Sequence, residues 1–260
     1  MVGMPDEPPG RGLLEGRSVV VTAAAGSGIG SAVARRALIE GGRVLISDIH
    51  ERRLDETAAR LEAETGSRPA AARCDVTDEA EVTALIDAAV DAHGGVDVMM
   101  NNAGLGGSAR LVDMTDDQWR AVLDVTLDGT MRCTRAALRH MIDTGTAGVI
   151  VNNASVLGWR AQAEQAHYAA AKAGVMALTR CAAVEAVEHG IRVNCVAPSL
   201  AMHPFLSNVI GEDVLDELER TELYGRAAAP WEVANVMVFL ASDLSSYMSG
   251  EVVSVSSQHP

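Results

Sequence analysis

The sequence is poor in aromatic residues, in paired cysteines and in positive charge, and each shortage removes a class of protein. Phe, Trp and Tyr make up 3% of the chain, so any core is built from Ala, Val, Leu, Ile and Met. Cys74, Cys133, Cys181 and Cys195 are scattered, with no CxxC pair and no zinc-type spacing. They read as reduced core residues of a cytoplasmic protein, and no metal site is expected. The formal net charge of −14 argues against a nucleic-acid surface, which needs clustered Lys and Arg. No stretch approaches the roughly 18 apolar residues of a membrane span. Met1 to Gly16 is rich in Pro, Gly and charge and holds no signal-type apolar run, so it reads as a frayed tail. No repeat, linker or low-complexity block interrupts the rest.

What the chain does have is apolar content and alternation. Hydrophobic residues make up 48% of its 260 positions, enough for one large α/β domain over residues 17–260. Short β-branched runs fall at Ser18–Thr22, Arg43–Ser47, Ala70–Cys74, Val96–Asn101, Gly148–Asn153, Ile191–Val196 and Glu251–Val255. Helical patterns separate them, near Ile29–Glu40, Glu51–Thr65, Glu79–His93, Asp116–Asp143, Ala166–Glu188 and Pro230–Ala241. Continuously apolar strands divided by helices predict a seven-stranded parallel sheet with helices on both faces, the doubly wound Rossmann fold. Thr77-Asp78 and Thr115-Asp116 supply helix caps, and Pro230 suits a first helical turn. Ser199–Arg226 stands out as an insertion over a substrate pocket.

After the first strand, Thr22-Ala-Ala-Ala-Gly26-Ser27-Gly28-Ile29-Gly30 opens a helix. Glycines there let the backbone approach a pyrophosphate, which the helix N-terminus attracts with free amides and its dipole. Asp48 ends the second strand, about twenty residues on, where a carboxylate accepts from ribose hydroxyls and repels a 2′-phosphate. Ser27 offers no cation to such a phosphate, so the expected cofactor is NAD, with Arg52 and Arg53 as the residues that would reverse this by turning inward. Asp75, followed by Val76, either accepts from the adenine amino group or caps the next helix. Asn102-Ala103-Gly104 follows the fourth strand, where Gly104 permits close approach and Asn102 braces the turn.

Ser155 follows the fifth strand, and Tyr168 and Lys172 lie four apart on one helical face. A free phenol has a pKa near 10, too high for a base at neutral pH. An adjacent ammonium and a cationic nicotinamide ring favour the phenolate. Tyr168 then takes a hydroxyl proton as hydride leaves, or returns it to a carbonyl, while Ser155 holds the substrate oxygen.

The Gly26–Gly30 loop, Asn101-Asn102-Ala103-Gly104, Ser155, and Tyr168-Ala-Ala-Ala-Lys172 together resemble the short-chain dehydrogenase/reductase family, along nearly all of Ser18 to Val255. The resemblance implies interconversion of an alcohol and a ketone, with Lys172 also holding the nicotinamide ribose and Pro198 and Ser199 flanking the ring. It implies a homotetramer packed through the helices near Asp116–Asp143 and Ala166–Glu188. The chain departs from the family pattern at four places. Ala23 stands where a Gly is usual, in a loop one residue longer. Thr126 occupies the position of a catalytic Asn, which puts the proton relay through Thr126 or alters it. Ser199 replaces a Gly, with His203 near a carboxamide-binding position. The C-terminus ends Ser254-Val-Ser-Ser-Gln-His-Pro260.

Within the family, Val151–Arg160 and Ser254–Pro260 resemble actinobacterial dehydrogenases of steroid and cholesterol catabolism, which oxidise a hydroxyl on a methyl-indanone carboxyl-CoA thioester. A bicyclic acyl-CoA substrate is thereby implied. Such a ligand needs apolar walls, for which Leu105, Leu157, Trp159, Met202, Phe205 and Leu206 are candidates, and cations for the CoA phosphates, for which Arg110, Arg160 and Arg226 are candidates. His203, next to Met202 in the sequence, is a further substrate-binding candidate. Each of these residues has an ordinary reading too, Trp159 as core and the arginines as solvated surface. Two other functions remain open: a 3-oxoacyl thioester reductase of fatty-acid metabolism, and a catalytically silent NAD-binding sensor.

Overall fold

Short runs of Val, Ile and Met alternate with capped helices in the computed structural model, which describes residues 3–202 and 219–257. The strands are β1 (Ser18–Val21), β2 (Arg43–Asp48), β3 (Ala70–Arg73), β4 (Val98–Asn101), β5 (Val149–Asn153), β6 (Arg192–Pro198) and β7 (Val252–Val255). Among the described residues they form one seven-stranded sheet in the order β3-β2-β1-β4-β5-β6-β7, every pairing parallel. Among the described residues the main helices are α1 (Ile29–Ile39), α2 (Glu51–Thr65), α3 (Glu79–His93), α4 (Asp116–Leu123), α5 (Gly129–Thr144), α6 (Ala166–Ala186) and α7 (Pro230–Ala241). The strand order reverses between β1 and β4, which opens a crevice at their carboxyl ends, the ligand edge of doubly wound sheets.

Both faces of the sheet are dry through its central strands, β1, β4 and β5. Val19 and Val21 point into one core cluster with Val33, Ile46 and Met237, while Val20 points into the other with Leu85, Met99 and Ile150. Alternate residues of one strand thus serve opposite cores, which is why these strands read as unbroken apolar runs. The largest fully buried side chains are all Leu, Ile or Met, so the core does without aromatics. Burial also explains three of the cysteines: Cys74, Cys133 and Cys195 are free thiols inside the protein, and desolvation pushes Cys74 up to about 12.

The caps fall where the sequence puts them. Asp78 accepts from the amides of Ala80 and Glu81 at the start of α3. Thr115 and Gln118 form a capping box on α4, and Pro230 opens α7. The long helix expected over Asp116–Asp143 contains a π-helical turn at Asp124–Asp128, a local defect that re-aims Thr126.

The N-terminal tail differs from expectation. From Glu7 on it is laid along α1 instead of fraying. Leu14 is fully buried, and Glu40, at the end of α1, accepts from the amides of Arg11 and Leu13 at 2.7 and 3.0 Å. Arg36 pairs with Glu40 and donates to the carbonyls of Pro8 and Pro9, and Arg35 binds Glu7 at 2.6 Å. A composition rich in Pro and Gly marks irregular backbone, and here that backbone is held by charges borrowed from α1.

Candidate active site

Ser155, Tyr168 and Lys172 meet at the carboxyl end of β5. Ser155 leaves the strand in extended conformation, and its Oγ accepts from Leu157 N at 3.2 Å. Its hydroxyl faces the Tyr168 phenol and favours the phenolate. Tyr168 sits half-buried in the first turn of α6, and burial pushes its phenol up to about 12, against the opposing pull of the Ser155 hydroxyl. One turn on, Lys172 is 3% exposed, with its Nζ 5.5 Å from the centre of the Tyr168 ring. It is the only lysine in the chain. Burial lowers its pKa from 10.5 to about 8, and its Nζ donates to the carbonyl of Asn153 at 2.6 Å. The trio therefore brings a phenol, an ammonium and a hydroxyl into one partly dry corner, where an ammonium lowers the cost of making phenolate.

Thr126 is fully buried one layer behind. Its Oγ1 donates to Leu105 O at 3.1 Å and accepts from Leu105 N at 2.9 Å, pinning the loop after Gly104. Its hydroxyl proton is therefore engaged by the loop. A Cβ placed on Gly104 would lie 3.4 Å from Lys172 Nζ, so the loop lies directly against the ammonium.

The glycine-rich turn lies across the crevice from this trio. Gly26 adopts φ +95°, a left-handed value. Its amide donates to Thr57 Oγ1 at 2.9 Å, and its carbonyl accepts from Arg60 at 2.7 Å. Ser27 is exposed, Ile29 packs on the core, and Gly28 leads into α1 with no side-chain cap, leaving the first helical amides for a ligand. A Cβ on Gly30 would meet Ala23 O at 2.4 Å and Asn102 Nδ2 at 2.5 Å, so only glycine lets the helix start this close.

Asp48 is buried at the end of β2. Its two oxygens each accept one backbone amide, from Ala25 and His50, both at 3.1 Å, which leaves further lone pairs. Arg52 points outward to Glu56, whereas a Cβ on Gly26 would lie 3.6 Å from the Arg53 guanidinium, so Arg53 stands at the turn. Asp75 accepts from Thr77 N and Oγ1 at 2.9 and 2.7 Å, and the first of these bonds is the main reason its carboxyl lies below the usual range. The cap of α3 is Asp78, not Asp75. Val76 is buried beside it. Asn102 braces the turn as expected, donating to the carbonyls of Thr22 and Ala23 at 3.2 and 3.1 Å. Thr22 Oγ1 in return accepts from the amides of Asn102 and Ala103. Pro198 is buried at the end of β6, and Ser199 N donates to Val255 O at 3.1 Å. The uncapped α1 terminus, the glycine that admits no Cβ and the carboxylate at the end of β2 fit a dinucleotide laid across the strand ends.

Of the candidate walls, Leu105 and Trp159 are exposed at 42% and 43%, and Leu157, Arg160 and Met202 are half-buried. The two ends of the Ser199–Arg226 insertion are zipped by an Ala201–Ala228 bridge. His203, Phe205 and Leu206 lie outside the described residues. Arg110 is exposed, 3.8 Å from Asp113. Arg226 is held by Glu232 through both terminal nitrogens, at 2.7 and 2.8 Å. Two residues of the corner went unread in the sequence. Thr22 is the acceptor that fixes the β4 loop, and Asn153 is the anchor of Lys172; neither belongs to a periodic pattern or a spacing rule.

A family profile described as enoyl-(acyl carrier protein) reductase matches residues 23–257. The (5R,7aS)-5-hydroxy-7a-methyl-1-oxo-2,3,5,6,7,7a-hexahydro-1H-indene-carboxyl-CoA reductase of Mycobacterium tuberculosis is 61% identical, over 98% of each chain. The cis-4-hydroxycyclohexanecarboxylate dehydrogenase of Sinomonas cyclohexanicum is 43% identical, over 92% of this chain and 94% of its own. A crystal structure of a short chain dehydrogenase from Mycobacterium smegmatis superposes with a TM-score of 0.88 at 57% identity, over 99% of both chains. With a doubly wound sheet, a Ser-Tyr-Lys corner and relatives of this closeness, the chain belongs to the short-chain dehydrogenase/reductase family of oxidoreductases.

Proposed function

We propose that this protein is an NAD-dependent oxidoreductase that interconverts a secondary alcohol and its ketone on a bicyclic hydroxyacyl-CoA of steroid breakdown, working as a cytoplasmic homotetramer. The observation that carries the reaction is the Ser155–Tyr168–Lys172 corner: a hydroxyl facing a phenol, with the chain's only lysine beside the ring. When bound, the dinucleotide supplies the hydride acceptor, or the donor in reverse. Tyr168 takes the substrate hydroxyl proton at its Oη, or returns it. Ser155 holds the substrate oxygen at hydrogen-bond distance from that phenol. Lys172 keeps positive charge near the phenolate and reaches the nicotinamide ribose. Thr126 acts through Leu105, setting the loop that faces Lys172.

Gly26, Ser27, Gly28, Ile29 and Gly30 receive the pyrophosphate. Asp48 takes the adenine ribose, and Asp75 and Val76 border the adenine. Ala103, Gly104, Pro198 and Ser199 border the nicotinamide half. The preference for NAD rests on the Asp48 carboxylate, which a 2′-phosphate would have to face. Arg53 at the glycine-rich turn favours the opposite choice, so the pair of cofactors belongs in the test.

The substrate reading rests on the 61% identical relative from M. tuberculosis, whose name specifies a hydroxy-methyl-indene carboxyl-CoA. In this reading Leu105, Leu157, Trp159 and Met202 would supply apolar walls, and Arg110 and Arg160 would supply cations for the CoA phosphates. The test is steady-state turnover with NAD and with NADP on a bicyclic hydroxy-indanone carboxyl-CoA and on a short 3-hydroxyacyl-CoA. Fast NAD-linked oxidation of the bicyclic thioester alone supports the proposal. Preference for the linear thioester moves the protein to fatty-acid metabolism, and cofactor binding without turnover makes it a sensor.

A further inference from the structure

Asn153 closes β5 two residues before Ser155 and is 7% exposed. Strand alternation sends the preceding Asn152 toward the helices, where its Nδ2 reaches Thr179 of α6 at 2.9 Å. Asn153 therefore turns to the opposite side, toward the cofactor crevice, and donates from Nδ2 to Asn102 Oδ1 at 2.9 Å. The orientation of both amides is determined by the network. Asn102 uses its nitrogen on two carbonyls, Thr22 and Ala23, so it presents oxygen to Asn153, and Asn153 presents nitrogen in return.

What remains is Asn153 Oδ1, a buried acceptor with no donor. Lys172 does not fill the gap, because its Nζ is placed on the Asn153 main-chain carbonyl. Buried amide oxygens are nearly always paired, and one left open in a ligand crevice marks a partner that arrives with the ligand. Asn101 Oδ1 is also unpaired, but the Asn101 side chain is turned to Thr134 of α5, inside the protein.

Resting on the reading that this crevice binds a nicotinamide dinucleotide, we infer that Asn153 Oδ1 accepts a hydrogen bond from a hydroxyl of the nicotinamide-side ribose. With the pyrophosphate at the start of α1 and the adenine half over Asp48, the second nucleoside lies over the ends of β4 and β5. Its phosphates carry no donor. Its ribose hydroxyls are the donors nearest the pyrophosphate, and Asn153 lies between the glycine-rich turn and Lys172, the place such a ribose crosses. Asn153 thus anchors Lys172 with its main chain and the ribose with its side chain, fixing the one against the other.

The test is calorimetric binding of ADP, ADP-ribose and NAD to the unliganded wild type, to Asn153→Leu and to Asn153→Ala. ADP lacks the second ribose, so its affinity reports the fold and the α1 turn. Loss of one buried hydrogen bond weakens ADP-ribose and NAD alike by about tenfold, while ADP changes by less than about twofold. The alanine variant gives the same pattern if the branched leucine does not fit. Unchanged ADP-ribose affinity overturns the inference. So does a parallel loss of ADP, which would place the effect in the glycine-rich turn, or a loss confined to NAD, which would assign the oxygen to the carboxamide. A wild type that binds none of the three removes the dinucleotide reading itself, and the inference with it.

Discussion

Lys172 gives the sharpest physical prediction, because the chain has no other lysine to obscure it. Burial lowers its pKa from 10.5 to about 8. At about 1.36 kcal/mol per unit, the buried site disfavours the ammonium by roughly 3 kcal/mol relative to water. Protein grown on lysine labelled with carbon-13 at Cε shows one lysine signal, whose shift follows the proton. The expected midpoint in the unliganded protein is near 8. A midpoint at or above about 10, the ordinary lysine value, would refute the burial account. The same shift reaches stability. Between pH 8 and about 10.4 the unfolded chain holds this proton and the folded chain has lost it, so stability rises with pH, by at most roughly 3 kcal/mol over that window. The buried thiols work the other way: Cys195 is pushed up to about 11, so its contribution is lost as pH climbs past the ordinary thiol value. The comparison with Lys172→Met, made in a Cys195→Ala background because Cys195 interacts directly with Lys172, cancels the remaining thiols. Urea denaturation should show the parent gaining on the variant from pH 8 to 10, and a flat difference would contradict the titration.

Tyr168→Phe should reduce turnover by at least about a hundredfold, since it removes the proton donor and acceptor, while dinucleotide affinity by calorimetry stays near wild type. Asp48→Ala should raise the dissociation constant for NAD and narrow the preference over NADP; an unchanged cofactor ratio would move the discrimination to Arg53. Glu40 is buried, which by itself raises its pKa, but the amides of Leu13 and Arg11 and the Arg36 guanidinium overcome this and hold its carboxyl below the usual range. Its stabilisation is therefore present above the ordinary carboxylate pKa and lost as pH falls through the lowered one. Glu40→Gln leaves Arg36 buried without its counter-charge, at about 3–5 kcal/mol, and frees residues 7–16 to exchange amide hydrogen faster. Ala23→Gly should leave stability unchanged or raise it by about 1 kcal/mol in urea, because Ala23 sits at φ +50°, where glycine is not strained; a loss of about 1 kcal/mol, usual for Ala→Gly elsewhere, would refute that account.

The fold was legible because parallel strands between two helical layers must be apolar on both sides, and Val19-Val20-Val21 shows that pattern without any partner being known. Tyr168 and Lys172 were legible for a similar reason: a spacing of four on a helix fixes a shared face. The tail from Glu7 was not, because its anchors lie 27 and 29 residues away and an Arg36–Glu40 spacing looks like any solvated i,i+4 pair. Arg226 looked like a free cation for the corresponding reason, since Glu232 faces it only through the geometry of the α7 start. Thr126 was found as a departure in the family pattern, but its hydroxyl's attachment to Leu105 depends on the π-helical turn, which no local preference announces.

Ala23, Asn102 and Asn153 form one arrangement. Ala23 takes a left-handed conformation that costs an L-residue roughly 1–2 kcal/mol, and it is not glycine that relieves this. Its carbonyl is instead held by Asn102 Nδ2, and Asn102 is held by Asn153 Nδ2. Asn153 carries Lys172 on its carbonyl. A continuous run of hydrogen bonds therefore joins the strained entry to the glycine-rich turn with the ammonium beside Tyr168. The longer loop at Ala23 and the amide at Asn153 thus work together: one admits backbone strain, and the other supplies hydrogen bonds that link it to the catalytic corner.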